Sequence, residues 1–353
     1  MIGPSVTLHC KLPRARGFHP EQRRRHMRHD RPRLVLLVHA MKRTERIPLV
    51  LRAYGCAPDI FAVVVLVYRS GLKPCREAVA ASRSSPGRAC RRCSCFVARS
   101  EPEYMHLNIA ALADGTADLL FTHMDGFVNA SMLPLLRRHN ETATPAGGLS
   151  LHGQPVEPAC ISLDSLAHCS GDAKSANVTC GGRTWAWWSH SHIHCLAASS
   201  ALGIKECCYG WSDLVYLPAH TQAAFRRLAA GASGLVATAR IARTPAVTLE
   251  QAGSLAALQP ASTDMRAVFH EVAIPTILNA MRLPRWGGMP WRRVRCLGSC
   301  CTGVNSPTFE SGGPHLCAHK VHLPALVQER PKGRPGWRWP YRGFLGPHSC
   351  AVR

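Results

Sequence analysis

The sequence predicts an α/β fold, a mixed and mainly parallel sheet flanked by helices. Three observations carry this expectation. Residues 34–68 read as strand, helix, strand. Residues 118–129 (Asp-Leu-Leu-Phe-Thr-His-Met-Asp-Gly-Phe-Val-Asn) begin with a short apolar run that stops at an acidic residue, Asp125, followed by glycine. The chain has 353 residues, 46% of them apolar, which is enough to bury a core.

The elements follow in order. Residues 34–40 (Leu-Val-Leu-Leu-Val-His-Ala) are apolar without alternation, the pattern of a strand covered on both faces. Thr44 is placed to cap the next helix. Ile47, Val50, Leu51 and Tyr54 fall at i, i+3, i+4 and i+7, one face of a helix that Gly55 ends. The Val-rich run 61–68 is the second strand. Two strands joined by a helical crossover are parallel. Residues 105–112 read as a helix leading into the 118–129 strand, and 131–138 as a short helix.

Residues 140–184 are polar and carry Cys160, Cys169 and Cys180, so they read as a long loop. Trp185-Ala-Trp-Trp188 follows, then His190, His192 and His194. On a strand these three imidazoles would share one face; on a loop they would face solvent. Residues 196–202 form a short helix and 214–217 a strand. Residues 219–230 form a helix with Phe225 and Leu228 inward. The last convincing helix is 264–279, kinked or divided at Pro275. Its polar pair His270-Glu271 is either an exposed helix face or part of a site. No packed element is expected beyond about residue 305.

The formal charge is +22, from 43 basic and 21 acidic residues. Its distribution argues against nucleic acid. Residues 1–33 hold 9 basic and 2 acidic groups, 69–99 hold 8 and 1, and 282–353 hold 12 and 2, so the remainder is nearly neutral. A nucleic-acid domain carries its positive stripe on folded elements. We therefore expect disordered basic tails at 1–33 and 306–353, a domain over 34–305, and an irregular Arg/Cys-rich insertion at 69–99. Seventeen cysteines suit an oxidising compartment or a metal protein. Acceptor patterns for N-glycosylation at Asn129, Asn140 and Asn177 lean towards the secretory route. The longest apolar runs fall far short of the roughly 20 residues of a membrane span. The Arg-rich start has no apolar stretch before residue 34, so it does not read as a secretory signal.

The strand at 34–40, the segment Arg43-Thr-Glu-Arg46 with its helix ending at Tyr54, and the strand at 61–68 resemble the start of a GT-A-type nucleotide-sugar glycosyltransferase domain. The nearest flavour is the exostosin-like group and related fungal and algal glycosyltransferase-like proteins. The resemblance covers 34–68 and 105–300. Where that family has an Asp-x-Asp metal motif at a strand end, this chain reads His123-Met-Asp125. Residues 210–218 look like the family's acceptor-side strand, and 269–276 like the later segment that supplies a carboxylate.

The resemblance implies transfer of a sugar from a nucleotide-sugar donor to a hydroxyl of a glycan or protein acceptor. It implies a divalent cation, Mn or Mg, at Asp125 and His123, and Glu271 or Asp213 as base or stabiliser. Trp211 would be an acceptor wall, and the setting the Golgi lumen. Two departures, His123 and the 69–99 run, leave a second class open: a non-catalytic remnant of the fold acting as a binding protein. A third is a zinc-binding Cys/His protein built from Cys90-x-x-Cys93-x-Cys95 with His190, His192 and His194. Gly-x-Ser-x-Gly, Walker and dinucleotide motifs do not occur.

Overall fold

The run 34–39 is apolar on both faces, so it must be covered on both, and the rest of the fold arranges that cover. The computed structural model describes residues 33–41, 43–55, 57, 59–84, 90, 92–100, 104–124, 126–128, 133, 142–145, 159–167, 170–171, 178–180, 183–185, 191–210, 212–230, 265–294, 296–297 and 317–318. All belong to the compact unit Arg33–Arg353. The tail expected at 1–33 lies outside the described residues, apart from Arg33.

The order is β1 (Leu34–His39), α1 (Ile47–Tyr54), β2 (Ala62–Val67), α2 (Leu72–Ser84), β3 (Cys93–Val97), α3 (Met105–Leu112), β4 (Asp118–His123), β5 (Phe127–Val128), β6 (Thr142–Pro145), β7 (Ala159–Ser162), α4 (Leu163–Ala167), β8 (Ser170–Gly171), β9 (Val178–Cys180), β10 (Arg183–Trp185), α5 (Ser191–Ala201), β11 (Glu206–Tyr209), β12 (Leu214–Leu217), α6 (Gln222–Ala230), α7 (His270–Met281), β13 (Trp291–Val294), β14 (Cys296–Leu297) and β15 (Cys317–Ala318). The main sheet has the order β13-β6-β12-β4-β1-β2-β3. β1 is parallel to β2 and β4, and β2 is parallel to β3. β12 enters antiparallel between β4 and β6, and β13 is parallel to β6. The expected mixed, mainly parallel sheet flanked by helices is what the chain forms.

Period-two alternation divides the core into two layers. Leu34, Leu36 and Val38 of β1, Leu120 of β4 and Leu214 and Tyr216 of β12 face one side, with Ile47, Val50, Leu51 and Tyr54 of α1 and Val79 of α2. Leu37, Leu119, Phe121, Val215 and Leu217 face the other, with Met105 and Ile109 of α3, Phe225 and Leu228 of α6 and Ile274 and Ile277 of α7. Burying each such side chain contributes about 1.5–3 kcal/mol.

Two polar groups inside this core tie its elements together. Asp118, at the amino end of β4, accepts from the Tyr216 hydroxyl at 2.9 Å and the Ala219 N–H at 3.0 Å. The Tyr54 hydroxyl accepts the Val128 N–H at 2.9 Å and so ties α1 to β5. Burial pushes that phenol above its usual range, and the Val128 bond only partly offsets the rise.

Five expectations are corrected. The 69–99 segment is not irregular. α2 lays Leu72, Cys75 and Val79 at i, i+3 and i+7 against the first core layer, and β3 pairs with β2 from Val63↔Cys93 to Val67↔Val97. Cysteine here takes the place of a small apolar residue. The arginines serve the surface of the element: Arg83 donates to the Cys93 carbonyl at 2.9 Å, and Arg92 stacks 3.9 Å over the Phe61 ring. The Cys90/Cys93/Cys95 group does not form a zinc site, because its cysteines pair as Cys90–Cys93 and Cys75–Cys95.

His192 and His194 lie on helix α5 rather than a strand, and residues two apart on a helix do not face each other. His190 lies outside the described residues. The fourth correction concerns the tail expected at 306–353. β15 pairs with both β14 and β5, with Cys317 buried, so the fold reaches past residue 305. The stretch 140–184, read as one loop, includes β6 of the main sheet and several short elements. Of the helix expected at 131–138, only Leu133 is among the described residues.

Two stability outcomes follow from this packing. Tyr216→Phe should lower stability by about 1–3 kcal/mol, because it leaves the Asp118 carboxylate short of a buried donor. Thermal or urea unfolding reads this, and an unchanged midpoint would remove Asp118 as a structural anchor. Replacing Cys75 and Cys95 together by Ala opens a bridge of sequence separation 20. The expected loss is roughly 3 kcal/mol on loop entropy. A smaller change than that of a surface substitution would mean that the bridge does not hold α2 to β3.

Candidate functional site

The carboxyl ends of parallel strands are where α/β sheets bind ligands, because the loops diverge there and backbone groups are left to face a ligand. In this chain β1 and β4 both end in histidine, His39 and His123, and the register pairs those two residues. Their ring centroids lie 4.5 Å apart. His39 Nε2 rests 2.8 Å from Met41 Sδ, and His123 Nε2 rests 3.1 Å from Met105 Sδ. His39 is buried, and the His123 side chain is about one quarter exposed at 26%.

β12 runs antiparallel to β4, so its beginning, not its end, meets this edge. Asp213, one residue before β12, therefore arrives beside His123. The His123 N–H donates to the Asp213 carbonyl at 3.0 Å, and Asp213 Oδ1 lies 3.9 Å from His123 Nε2. The chain then turns away tightly. The Gly126 N–H donates to the His123 carbonyl at 2.9 Å, and a Cβ at Gly126 would lie 2.6 Å from Thr122 Oγ1. A residue larger than glycine would push this turn off the strand end.

The third contribution comes from α7. His270 and Glu271 open this helix, where a carboxylate is favoured by the positive end of the helix dipole. The ligand atoms of Asp213, His270 and Glu271 all lie within 4.8 Å of one another. His270 is only 7% exposed and packs on the Phe269 ring, with centroids 4.5 Å apart. Of the two readings of His270-Glu271, the exposed helix face does not hold for His270.

Pro275 explains how α7 is held there. A residue at 275 would donate its N–H to the carbonyl four residues earlier, that of Glu271. Proline has no N–H. The Glu271 carbonyl instead accepts the Gly210 N–H at 2.9 Å, in the link between β11 and β12. One turn on, Thr276 Oγ1 accepts the Cys208 N–H at 2.8 Å and donates to the Cys208 carbonyl at 3.1 Å. Cys195–Cys207 and Cys160–Cys208 fasten the same strand to α5 and β7. The segment leading to Asp213 is therefore fixed on both sides.

Three of the residues singled out from sequence, His123, Asp213 and Glu271, thus come to one edge of the sheet. Asp125 and Trp211 lie outside the described residues. His39 was passed over as part of an apolar run. The signal for it was that two parallel strands end in the same residue type.

The chemistry available is two carboxylates and three imidazoles in a half-buried setting. Ligands of one tetrahedral ion, each about 2.1 Å from it, lie about 3.4 Å apart, so the Asp213, His270 and Glu271 atoms, all within 4.8 Å of one another, would draw together to share a cation. The other such group, Cys160, Glu206 and Cys208, is committed elsewhere: its cysteines are bonded to each other, and Asn279 donates to Glu206 at 3.2 Å.

Fold and site together define an α/β protein with a His/carboxylate cluster at the carboxyl edge of its parallel strands. No protein-family model and no curated protein matches the sequence. Among solved structures, the chain is similar to a 4-diphosphocytidyl-2C-methyl-D-erythritol synthase from Anaerococcus prevotii, at 8% identity and a TM-score of 0.33. The alignment covers 72% of this chain and 98% of that one. A similarity at that level carries no argument about the chemistry of this chain.

Pro275→Ala should restore a donor that competes for the Glu271 carbonyl. The Gly210 amide should then exchange with deuterium about five- to tenfold faster, the equivalent of one hydrogen bond worth about 1 kcal/mol. Unchanged exchange would show that the Gly210 bond does not depend on the proline.

Proposed function

We propose that the chain is a transferase-like protein that moves a sugar from a nucleotide diphosphate sugar to an acceptor hydroxyl. The observation that carries this reading is the meeting of His123, Asp213 and Glu271 at the carboxyl edge of the parallel strands. A nucleotide diphosphate there would have its phosphates beside β4, with the acceptor entering from the β12 and α7 side.

The residues divide the work as follows. His123 and Asp125 would take the diphosphate side. A divalent cation held by them would offset the charge that builds on the leaving phosphate. Glu271 or Asp213 accepts the proton of the acceptor hydroxyl as its oxygen bonds to the anomeric carbon. The bond from that carbon to the phosphate oxygen breaks, and the nucleoside diphosphate leaves with the electron pair. Trp211 would wall the acceptor side.

The test is a thermal-shift titration of the full chain with nucleotide diphosphates and their sugar conjugates, with and without manganese, followed by a transfer assay. One nucleotide should raise the melting temperature. Glu271→Gln should cut transfer by about 10²–10⁴-fold, the range for loss of a general base, in protein that still melts cooperatively. A cooperative melt that no nucleotide moves would replace this reading with that of a non-catalytic remnant of the fold.

A further inference from the structure

We propose that Asp213, His270 and Glu271, closed by His123, form a binding site for a zinc-class transition-metal ion. This rests on the reading above for the role of the edge, and places an ion on its β12 and α7 side, apart from the cation that His123 and Asp125 would hold at the diphosphate. It shares His123, Asp213 and Glu271 with that reading, but it does not require that any sugar be transferred.

The first ground is convergence. Three ligand atoms from two separate elements lie within 4.8 Å of one another. His123 Nε2, from a third element, stands 3.9 Å from Asp213 Oδ1, about half an ångström more than the roughly 3.4 Å between two ligands of a tetrahedral ion. Each of these residues is exposed to water only in part, with Asp213 at 13% and His270 at 7%.

The second ground is that the scaffold sets the ligands before any ion arrives. The His123 N–H holds the Asp213 backbone, and the Gly210 N–H holds the Glu271 backbone through the carbonyl that Pro275 leaves open. Bonds around Thr276 and the Cys195–Cys207 and Cys160–Cys208 bridges keep the intervening strand in place. Fixed ligands lose little freedom on binding, which is what a metal site needs from its supporting residues.

The donor types choose the ion. Magnesium and calcium take oxygen ligands almost alone. Two imidazoles and two carboxylates suit zinc and its neighbours, and zinc stands above manganese in intrinsic affinity for such donors. A carboxylate bound through one oxygen keeps the other for an acceptor hydroxyl, so the ion and the proton-accepting role of Glu271 or Asp213 are compatible.

The test uses the full chain with its disulfides intact, stripped with chelator and titrated with cobalt and then zinc in buffer without reductant. Cobalt should give the weak visible bands of nitrogen and oxygen ligands with no thiolate charge-transfer band. One equivalent of zinc should abolish them, and excess magnesium should not. His270→Ala and Glu271→Gln should each weaken zinc binding at least about tenfold.

Absence of a cobalt spectrum, or a thiolate band, overturns the proposal. So does unchanged zinc affinity in either variant when that variant melts cooperatively. If His270→Ala does not fold, the near-isosteric Glu271→Gln decides. Zinc binding with no response to any nucleotide supports the site and counts against the transferase reading. A nucleotide response in protein that binds no zinc overturns the site alone.

Discussion

The hydrogen bond from the Gly210 N–H to the Glu271 carbonyl is the constraint on which the candidate site depends. It exists because Pro275 cannot fill that carbonyl from within α7. A proline six residues into a helix ordinarily weakens it. Here the lost helical bond becomes a bond between two elements, joining the helix that carries Glu271 to the strand connection that carries Asp213. Thr276, one residue on, makes a second tie to the same strand through Cys208. Helix and strand therefore move together, and their carboxylates keep a common position.

The second constraint is the direction of β12. Had it entered the sheet parallel to β4, Asp213 would stand at the opposite edge, near Asp118. Running antiparallel, it brings its first residues to His123. At the other edge, Asp118 accepts the Tyr216 hydroxyl and the Ala219 N–H and closes the sheet with a satisfied buried carboxylate. Two acidic residues flanking neighbouring strands thus have opposite duties, one holding the sheet and one at the proposed site. Their surroundings rather than their residue type make the difference.

Cysteine was the residue type most easily misread. In 69–99 the arginines suggested a solvated insertion and the cysteines a metal knuckle. Cys75, Cys90 and Cys93 are instead as buried as the valines beside them; Cys75–Cys95 ties α2 to β3 of the sheet, and Cys90–Cys93 closes the turn into β3. Arginine did not prevent folding because its long stem and flat head settle on aromatic and carbonyl surface, as Arg92 does on Phe61. The histidines at 192 and 194 misled for a different reason. Alternation suggests a strand only when the backbone is extended, and the small, apolar residues after His194 favour a helix.

The sequence by itself determined the α/β class, strands at 34–40 and 119–124, the helix ending at Tyr54, and the choice of His123, Asp213 and Glu271 as candidates. These are legible because the apolar period of a buried strand or an amphipathic helix is a local property, and so is a polar residue that interrupts it. The tertiary structure alone decided that His39 and His270 join those three, that β12 runs antiparallel, and that the cysteines pair with each other. Those outcomes depend on which distant segments meet. Strand direction and disulfide pairing bring together residues far apart in the chain, as in Leu119 and Leu217, and no local pattern records the partner.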